Sequence, residues 1–124
     1  MKCSENSASS AIGRAIGAKV GTYLLKKELN NYFRDYVFYR NDGDGVFGVM
    51  FGPMGSNLSG IGFLVGATGN SSRFSYTFIG KGNIRVKFPD GVVIFTLYKN
   101  GVMLEGRLFE KTYDPQTYRS FLGN

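Results

Sequence analysis

The residue types that most often carry catalysis or bind metals are scarce in this chain of 124 residues. It contains no histidine and one cysteine, Cys3, which excludes Ser-His-Asp and Cys-His nucleophilic catalysis. A structural zinc site is disfavoured for the same reason. Carboxylates, lysines and tyrosines are what is left as acids and bases, so the composition favours a non-enzymatic protein over an unusual enzyme built from those groups alone.

Two groups of acidic residues could do chemistry, but neither has the spacing it needs. The segment NDGDG at 41–45 offers Asp42 and Asp44 to a calcium ion, yet it lacks the fifth-position ligand and the glutamate at position twelve of an EF-hand loop. Glu105 and Glu110 are five residues apart, which places them on opposite faces of an unbent strand. We therefore predict no metal, no cofactor and no catalytic carboxylate pair.

Basic residues alternate with apolar ones in the second half of the chain. Arg73, Arg85, Lys87 and Lys99 are predicted on the outward side of adjacent strands, with Tyr98 among them. Such a surface could follow a phosphate backbone and stack a base, or dock a protein. The alternative is that these cations are solvated residues opposite inward aromatics, and a net charge of +6 is modest for a dedicated nucleic-acid binder.

A helical pattern covers residues 10–34, after a small polar tail at 1–9. Gly13, Gly17 and Gly21 lie beside its apolar stripe, and each mid-helix glycine costs about 1 kcal/mol relative to alanine. They therefore predict a groove that another backbone approaches closely. The groove could pack on the protein's own sheet, form a homo-oligomer or dock a protein partner, or lie on a membrane surface. A break in the helix is possible at the pair Asn30 and Asn31.

From Tyr36 the apolar period falls to two, which is typical of β-strands. Over 36–113 we expect seven or eight antiparallel strands in sequential order, with a bend at Gly106 in the last one. The predicted fold is mainly β (α+β): a single domain with a meander forming a small barrel or a curved sheet. A short helix over 114–122 follows, with Asp114 as N-cap, Pro115 at its first position and Gly123 as its stop.

One alternating face of the meander is rich in large side chains that would nearly fill a barrel of about eight strands. These residues are Phe74, Tyr76, Phe78, Ile84, Val86, Phe88, Val93, Phe95 and Leu97. A ligand is then expected only at the mouth of the barrel or at the glycine-rich edge near residues 52–70, where missing side chains leave room. Recognition is expected on the loop 52–60 and the N-terminal helix. The candidate loop residues are Pro53, Met54, Asn57 and Leu58. Gly91 and Gly101 are expected to supply the positive φ of two hairpin turns.

The stretches YVFYRNDGDGVF and FSYTFIGKGNIRVKFPDGVVIFTLYKNGVMLEGRLFEKTY resemble the small bacterial lipocalin-like domains, which are typically secreted or lipoprotein modules. The resemblance covers residues 36–113. It implies an up-and-down barrel without catalytic residues and at most an apolar ligand in the cavity. This chain departs from the pattern by its lack of tryptophan, its glycine-rich insertion and its glycine helix.

The leading hypothesis is a lipocalin-like, non-enzymatic binding or interaction module. The alternative is a small basic intracellular inhibitor or adaptor, of phage or defence-related type, that docks a protein or nucleic acid. No stretch approaches the roughly 20 apolar residues of a membrane span. Residues 1–10 lack the hydrophobic centre of a signal peptide, which favours the cytoplasm; a removed leader would instead place Cys3 near the start of an exported lipoprotein.

Overall fold

The computed structural model describes residues 22–41, 43 and 45–123. In this part of the chain eight antiparallel strands follow one another and close into a barrel. They are β1 Tyr36–Asn41, β2 Val46–Met54, β3 Ser59–Val65, β4 Ser71–Gly80, β5 Asn83–Phe88, β6 Gly91–Tyr98, β7 Gly101–Leu104 and β8 Arg107–Tyr113. Helix α1, Thr22–Phe33, precedes the barrel and helix α2, Pro115–Leu122, follows it. The predicted mainly β, sequential antiparallel architecture is confirmed.

The barrel closes because the first strand pairs with the last as well as with the second. Tyr36 lies opposite Tyr113 and Phe38 opposite Lys111 across β1 and β8. Every strand therefore has two hydrogen-bonded neighbours, and no edge with unpaired backbone groups is left open. Of the two predicted forms, a barrel or a curved sheet, the structure has the barrel.

The inward residues of all eight strands form one aromatic-rich core. The ring of Phe51 is its centre, and it meets the rings of Phe33, Phe74 and Phe95 at centroid distances of 4.7, 5.6 and 6.0 Å. Most of these contacts are edge-to-face, the arrangement that aromatic quadrupoles prefer. Seven of the nine side chains predicted to face inward are fully buried, while Phe88 and Val93 are partly buried against the same core.

Helix α1 closes one end of the barrel. Its buried side chains Leu25, Leu29 and Phe33 belong to the same core as the strands. The Asn30 amide accepts a hydrogen bond from the Met54 N–H at 2.9 Å and donates one to the Met54 carbonyl at 3.4 Å. The helix therefore both fills the barrel end and satisfies the backbone of the strand that terminates there.

The helix predicted over residues 10–34 is described only as the twelve residues of α1, so a long N-terminal helix is not supported. Residues 10–21 lie outside the described residues, and the prediction of a glycine groove at Gly13, Gly17 and Gly21 lies there with them. Of the two alternatives near Asn30 and Asn31, a break or a continuous helix, the structure has the continuous helix. The Asn30 side chain bonds to β2 and not to its own backbone, so it does not compete with the helix.

The loop predicted over 52–60 is shorter than expected. Strand β2 continues through Pro53 to Met54, and the irregular segment between β2 and β3 is only residues 55–58. The pairing of β2 with β3 shifts between Phe51 and Met54. Because a bulge leaves one position out of the ladder, it accommodates a proline that has no N–H to donate.

Two predictions about the last hairpins need correction. The bent strand expected around Gly106 is two strands, because Glu105 and Gly106 have φ values of 52° and 79° and form a tight turn. Gly101 does have a positive φ, 156°, and an added Cβ there would lie 2.1 Å from the Phe109 carbonyl oxygen. Gly91 has no positive φ and faces open space, since Pro89 and Asp90 make that turn instead.

Helix α2 begins and ends at the predicted residues. Asp114 is its N-cap and accepts a hydrogen bond from the Thr117 N–H at 3.1 Å, Pro115 follows, and Gly123 ends it with a φ of 72°. The other carboxylate oxygen of Asp114 accepts a hydrogen bond from the Tyr39 hydroxyl at 2.6 Å. This bond stabilises the ionised carboxylate and lowers the pKa of Asp114 below 3.8.

The variant Asp114→Asn should make stability less dependent on pH in acid. A lowered pKa in the folded state stabilises the protein above pH 3.8, and this contribution is lost as the pH falls through the folded pKa. Asparagine keeps an oxygen for the Thr117 N–H but has no charge to lose. Urea unfolding at neutral pH and near pH 2 should show a smaller decrease for this variant than for the wild type. An equal decrease in the free energy of unfolding for the variant and the wild type would contradict the prediction. The control is Asp90→Asn, which lies in an exposed turn.

Candidate interaction surface

The interior of the barrel is occupied by side chains. Phe74 and Tyr76 of β4 fill the space over Gly62 and Gly60 of β3, their cross-strand partners. The Tyr76 hydroxyl reaches across to the Gly52 carbonyl. The missing side chains of these glycines therefore make room for the protein's own rings, and not for a ligand at the glycine-rich edge.

Two cations lie over aromatic rings of the interior. The Lys111 Nζ is 3.9 Å and 4.2 Å from the ring centroids of Tyr32 and Tyr36, beside helix α1. Burial lowers the pKa of Lys111. The Arg40 guanidinium stacks over the rings of Phe47 and Phe109 at 5.4 Å and 5.1 Å. Neither Arg40 nor Lys111 was among the predicted site residues. The two-residue period of strand side chains could have placed Arg40 on the inward side of β1 and Lys111 on the inward side of β8.

Helix α2 covers the outside of the first three strands. Tyr118 is buried there, and its hydroxyl donates to the Phe51 carbonyl at 3.0 Å. Arg119 also pairs with Asp35, at 2.9 Å, which fixes the helix to the residue just before β1. A second apolar cluster fills the space between helix and sheet; it contains Val37, Met50 and Tyr118, with Tyr39, Phe63, Val65, Phe121 and Leu122 packed against them. One outer face of the barrel is thus already occupied.

The outer face of β4, β5 and β6 has no such cover among the described residues. Its central part consists of two rows of cross-strand neighbours. In one row Ser75, Lys87 and Val92 lie side by side. In the other row the neighbours are Thr77, Arg85 and Ile94. Together with Arg73 of β4, these six residues are called the cationic face below.

The described residues leave the positive charge of the cationic face uncompensated. Arg73, Arg85 and Lys87 are exposed, and none of them has an ion pair with a residue that the structure describes. The outward positions of the three described strands contain no acidic residue. Because these cations lie on neighbouring strands, their fields add over one surface and attract anionic groups.

The five residues predicted as one basic and aromatic surface are not all together. Lys99 is in the turn after β6, five residues beyond Ile94, and about 16 Å away at about 3.3 Å per strand residue. Tyr98 is on the outward side of β6 near that turn, and it is half-buried. The structure therefore brings Arg73, Arg85 and Lys87 together and leaves Lys99 and Tyr98 toward the other end of the barrel.

Exposed aliphatic residues are part of this face and were not among the predicted site residues. Val92 is 55% exposed and Ile94 43% exposed. The signal was present in the segment VVIFTLY, whose inward residues Val93, Phe95 and Leu97 leave two further β-branched apolar residues facing outward. Val92 and Ile94 lie two residues apart on the outward side of β6, each directly beside a cation of β5. They form one exposed apolar patch next to polar residues, an arrangement found at interaction sites.

A cleft of about 480 Å³ opens beside the cationic face. Arg73, Ser75 and Lys87 line its polar side, while the apolar lining includes Ile61 and Phe88. The Phe88 ring meets the Phe74 ring edge-to-face at 5.3 Å, so the apolar wall is anchored in the core. The cleft joins two cations to a rigid apolar surface of side-chain size.

The predicted recognition loop has a mainly structural environment. Met54 is buried, and both of its backbone polar groups bond to Asn30. Asn57 is exposed, and its side-chain oxygen accepts a hydrogen bond from the Ser59 N–H at 3.3 Å. Leu58 has a φ of 60° and packs against the core. Pro53 is exposed and borders a separate cleft of about 500 Å³ beneath α2, so recognition by this loop stays a prediction.

Clusters of metal ligands and membrane-spanning helices are absent from the part of the chain that the structure describes. Among residues 22–41, 43 and 45–123, no cluster of three or more candidate ligands could hold a metal ion. Asp42 and Asp44, the candidates for calcium, lie outside the described residues. Within the same part of the chain, neither helix has the length and apolarity needed to cross a membrane.

Similarity to known proteins does not decide between the possible functions. Comparison with protein-family models, curated proteins and solved structures found no match. The lipocalin-like resemblance therefore stays a prediction. The candidate site depends on the geometry of the cationic face alone.

Proposed function

We propose that this protein is a non-enzymatic interaction module that docks a macromolecular partner on the cationic face. The observation that carries the proposal is a contrast between the interior and one outer face. The barrel interior is filled by its own aromatics, while the outer face has three cations without an ion pair to any residue that the structure describes. The up-and-down barrel is the architecture that the lipocalin-like resemblance implies. We place binding on the outside, because the interior is the core.

The same residues favour docking over a purely solvated surface. Like charges that lie close together repel each other. Arg85 and Lys87 lie two residues apart on the outward side of β5, so together they do not stabilise the isolated fold. Their arrangement with exposed Val92 and Ile94 becomes favourable when a partner supplies anions and covers the apolar area. A partner would thus gain both long-range attraction and apolar burial.

Binding to model polyanions tests the proposal. Labelled poly-L-glutamate and an oligothymidylate are titrated with the wild type and with Arg85→Glu/Lys87→Glu at low and at physiological salt. We expect salt-sensitive binding to one or both, weakened by about tenfold or more in the double variant, because reversal replaces attraction by repulsion.

The control variant is Lys81→Glu/Lys99→Glu, in turns outside the cationic face. Both double variants lower the formal net charge from +6 to +2, so a difference between them reports position and not total charge. We expect the control to bind nearly as tightly as the wild type. Equal weakening in both variants, or no binding to either polyanion at low salt, would refute docking at this face.

A further inference from the structure

We infer that the partner on the cationic face is an acidic polypeptide segment that presents carboxylates and apolar side chains together on one of its faces. This inference rests on the proposed function and specifies the chemistry of its partner. It follows from how the cations, the exposed aliphatics and the cleft are arranged relative to one another.

Each row of the cationic face sets a cation directly between a hydroxyl residue and an aliphatic one. Lys87 lies between Ser75 and Val92. Directly opposite residues in an antiparallel sheet have Cβ atoms about 5 Å apart. A carboxylate that pairs with Lys87 therefore brings the next side chain on the same face of the segment over Val92. An apolar side chain at that position buries both itself and Val92 away from water.

The second row repeats this arrangement one pleat further along the strands. Arg85 lies between Thr77 and Ile94, and Ile94 remains 43% exposed. Two equivalent rows match a segment that presents acidic and apolar side chains in turn. A segment with acids alone would pair with the cations and leave both aliphatic residues in water.

The cleft extends the pattern at the edge of the face. Arg73 and Lys87 stand on its rim, and Ile61 with Phe88 forms an apolar wall. The cleft is shallow and open to solvent, so a large apolar side chain can lie against its wall. An aromatic or leucine side chain of the partner in this position would have a carboxylate next to it within reach of both rim cations.

Nucleic acid fits this face less well. Proteins that bind single-stranded nucleic acid stack its bases on aromatic rings. Among the described residues of the cationic face, the exposed large apolar side chains are aliphatic and not aromatic. The Phe88 ring, at the cleft, already packs against Phe74. A phosphate backbone would pair with the cations and offer nothing apolar to cover Val92 and Ile94.

Three ligands of equal charge test the inference at physiological salt. One is an acidic peptide interspersed with leucine and phenylalanine, the second has glycine and serine in their place, and the third is an oligothymidylate. We expect the wild type to bind the apolar acidic peptide about tenfold more tightly than the polar one, because covering two exposed aliphatic residues adds to affinity.

Val92→Thr/Ile94→Thr should abolish that preference and leave binding of the polar acidic peptide unchanged. Threonine keeps the β-branch, but a hydroxyl replaces a methyl group of Val92 and the ethyl group of Ile94. The control is Val46→Thr on β2, which is also an exposed β-branched residue, at 45%, but lies outside the face. It should retain the preference.

The possible results separate this inference from the proposed function. Equal binding of the two peptides would overturn the apolar part of the inference, and tighter binding of the oligothymidylate would overturn the choice of a polypeptide. In both cases docking on the cationic face would stand. Lack of binding to all three ligands even at low salt would overturn the proposed function itself.

Discussion

Replacing Phe33 by alanine should lower the free energy of unfolding by about 3 to 5 kcal/mol, the range for removing a large aromatic side chain from a packed core. Phe33 is 1% exposed, although it belongs to a helix outside the sheet. Its ring lies 4.7 Å from that of Phe51 and 5.9 Å from that of Tyr76. Alanine would leave a void at the closed end of the barrel.

Urea unfolding measures this change, and Asn31→Ala is the matched control on the same helix. Asn31 is exposed, and its replacement should change stability by about 0.5 kcal/mol or less. A loss for Phe33→Ala as small as that of the control would mean that α1 is not part of the core. The barrel would then be open at that end, and an interior ligand site would have to be considered again.

Replacing Gly62 by alanine should destabilise the protein by about 3 kcal/mol, although it adds only one methyl group. An added Cβ would lie 2.4 Å from the Met50 carbonyl oxygen and 2.4 Å from the nearest ring atoms of Phe74. The first neighbour is backbone and the second is a buried ring, so neither can move without disturbing the pairing of β3 or the core.

Gly55→Ala, between β2 and β3, is the control for this change. An added Cβ there meets only the Asn57 side-chain oxygen at 3.7 Å, an ordinary contact, and Gly55 has no positive φ. Thermal or urea unfolding should show a variant as stable as the wild type. If Gly62→Ala were equally stable, the Phe74 ring would have space beside it, and the barrel interior would be less tightly filled than the structure indicates.

Local patterns were enough to predict the strands, their order and many of the inward residues. Alternation in RFSYTFI and IRVKF assigns Phe74 and Val86 to one side and Arg73 and Arg85 to the other, because successive strand residues point to opposite faces. Caps are local as well, which is why both ends of α2 were predicted correctly. Pro53 was misleading, since its cost in a strand is removed by a bulge that depends on the partner strand.

The candidate site could be predicted only in part. The alternation of side chains along a strand placed Arg73, Arg85 and Lys87 outward. It could not reveal that Lys99 lies at a distance from them, because a residue in a turn has no fixed face. This alternation also could not reveal which outer face of the barrel is left without a covering helix. That depends on where α2 returns after β8, and the position of α2 is set by contacts with β1 to β3 that are distant in sequence.

By itself, the sequence determined a chain without the common catalytic residues, a sequential antiparallel meander, an aromatic inward face and an outward row of cations. These properties follow from residue type and from periods of two or four, which need no knowledge of distant partners. The tertiary structure alone decided that the meander closes through β1 and β8, that Phe33 fills its end, and that rings of β4 occupy the space over Gly60 and Gly62. Each of these depends on the packing of side chains far apart in the chain. The same packing leaves the outside of β4 to β6, where recognition is proposed, uncovered by the other residues that the structure describes.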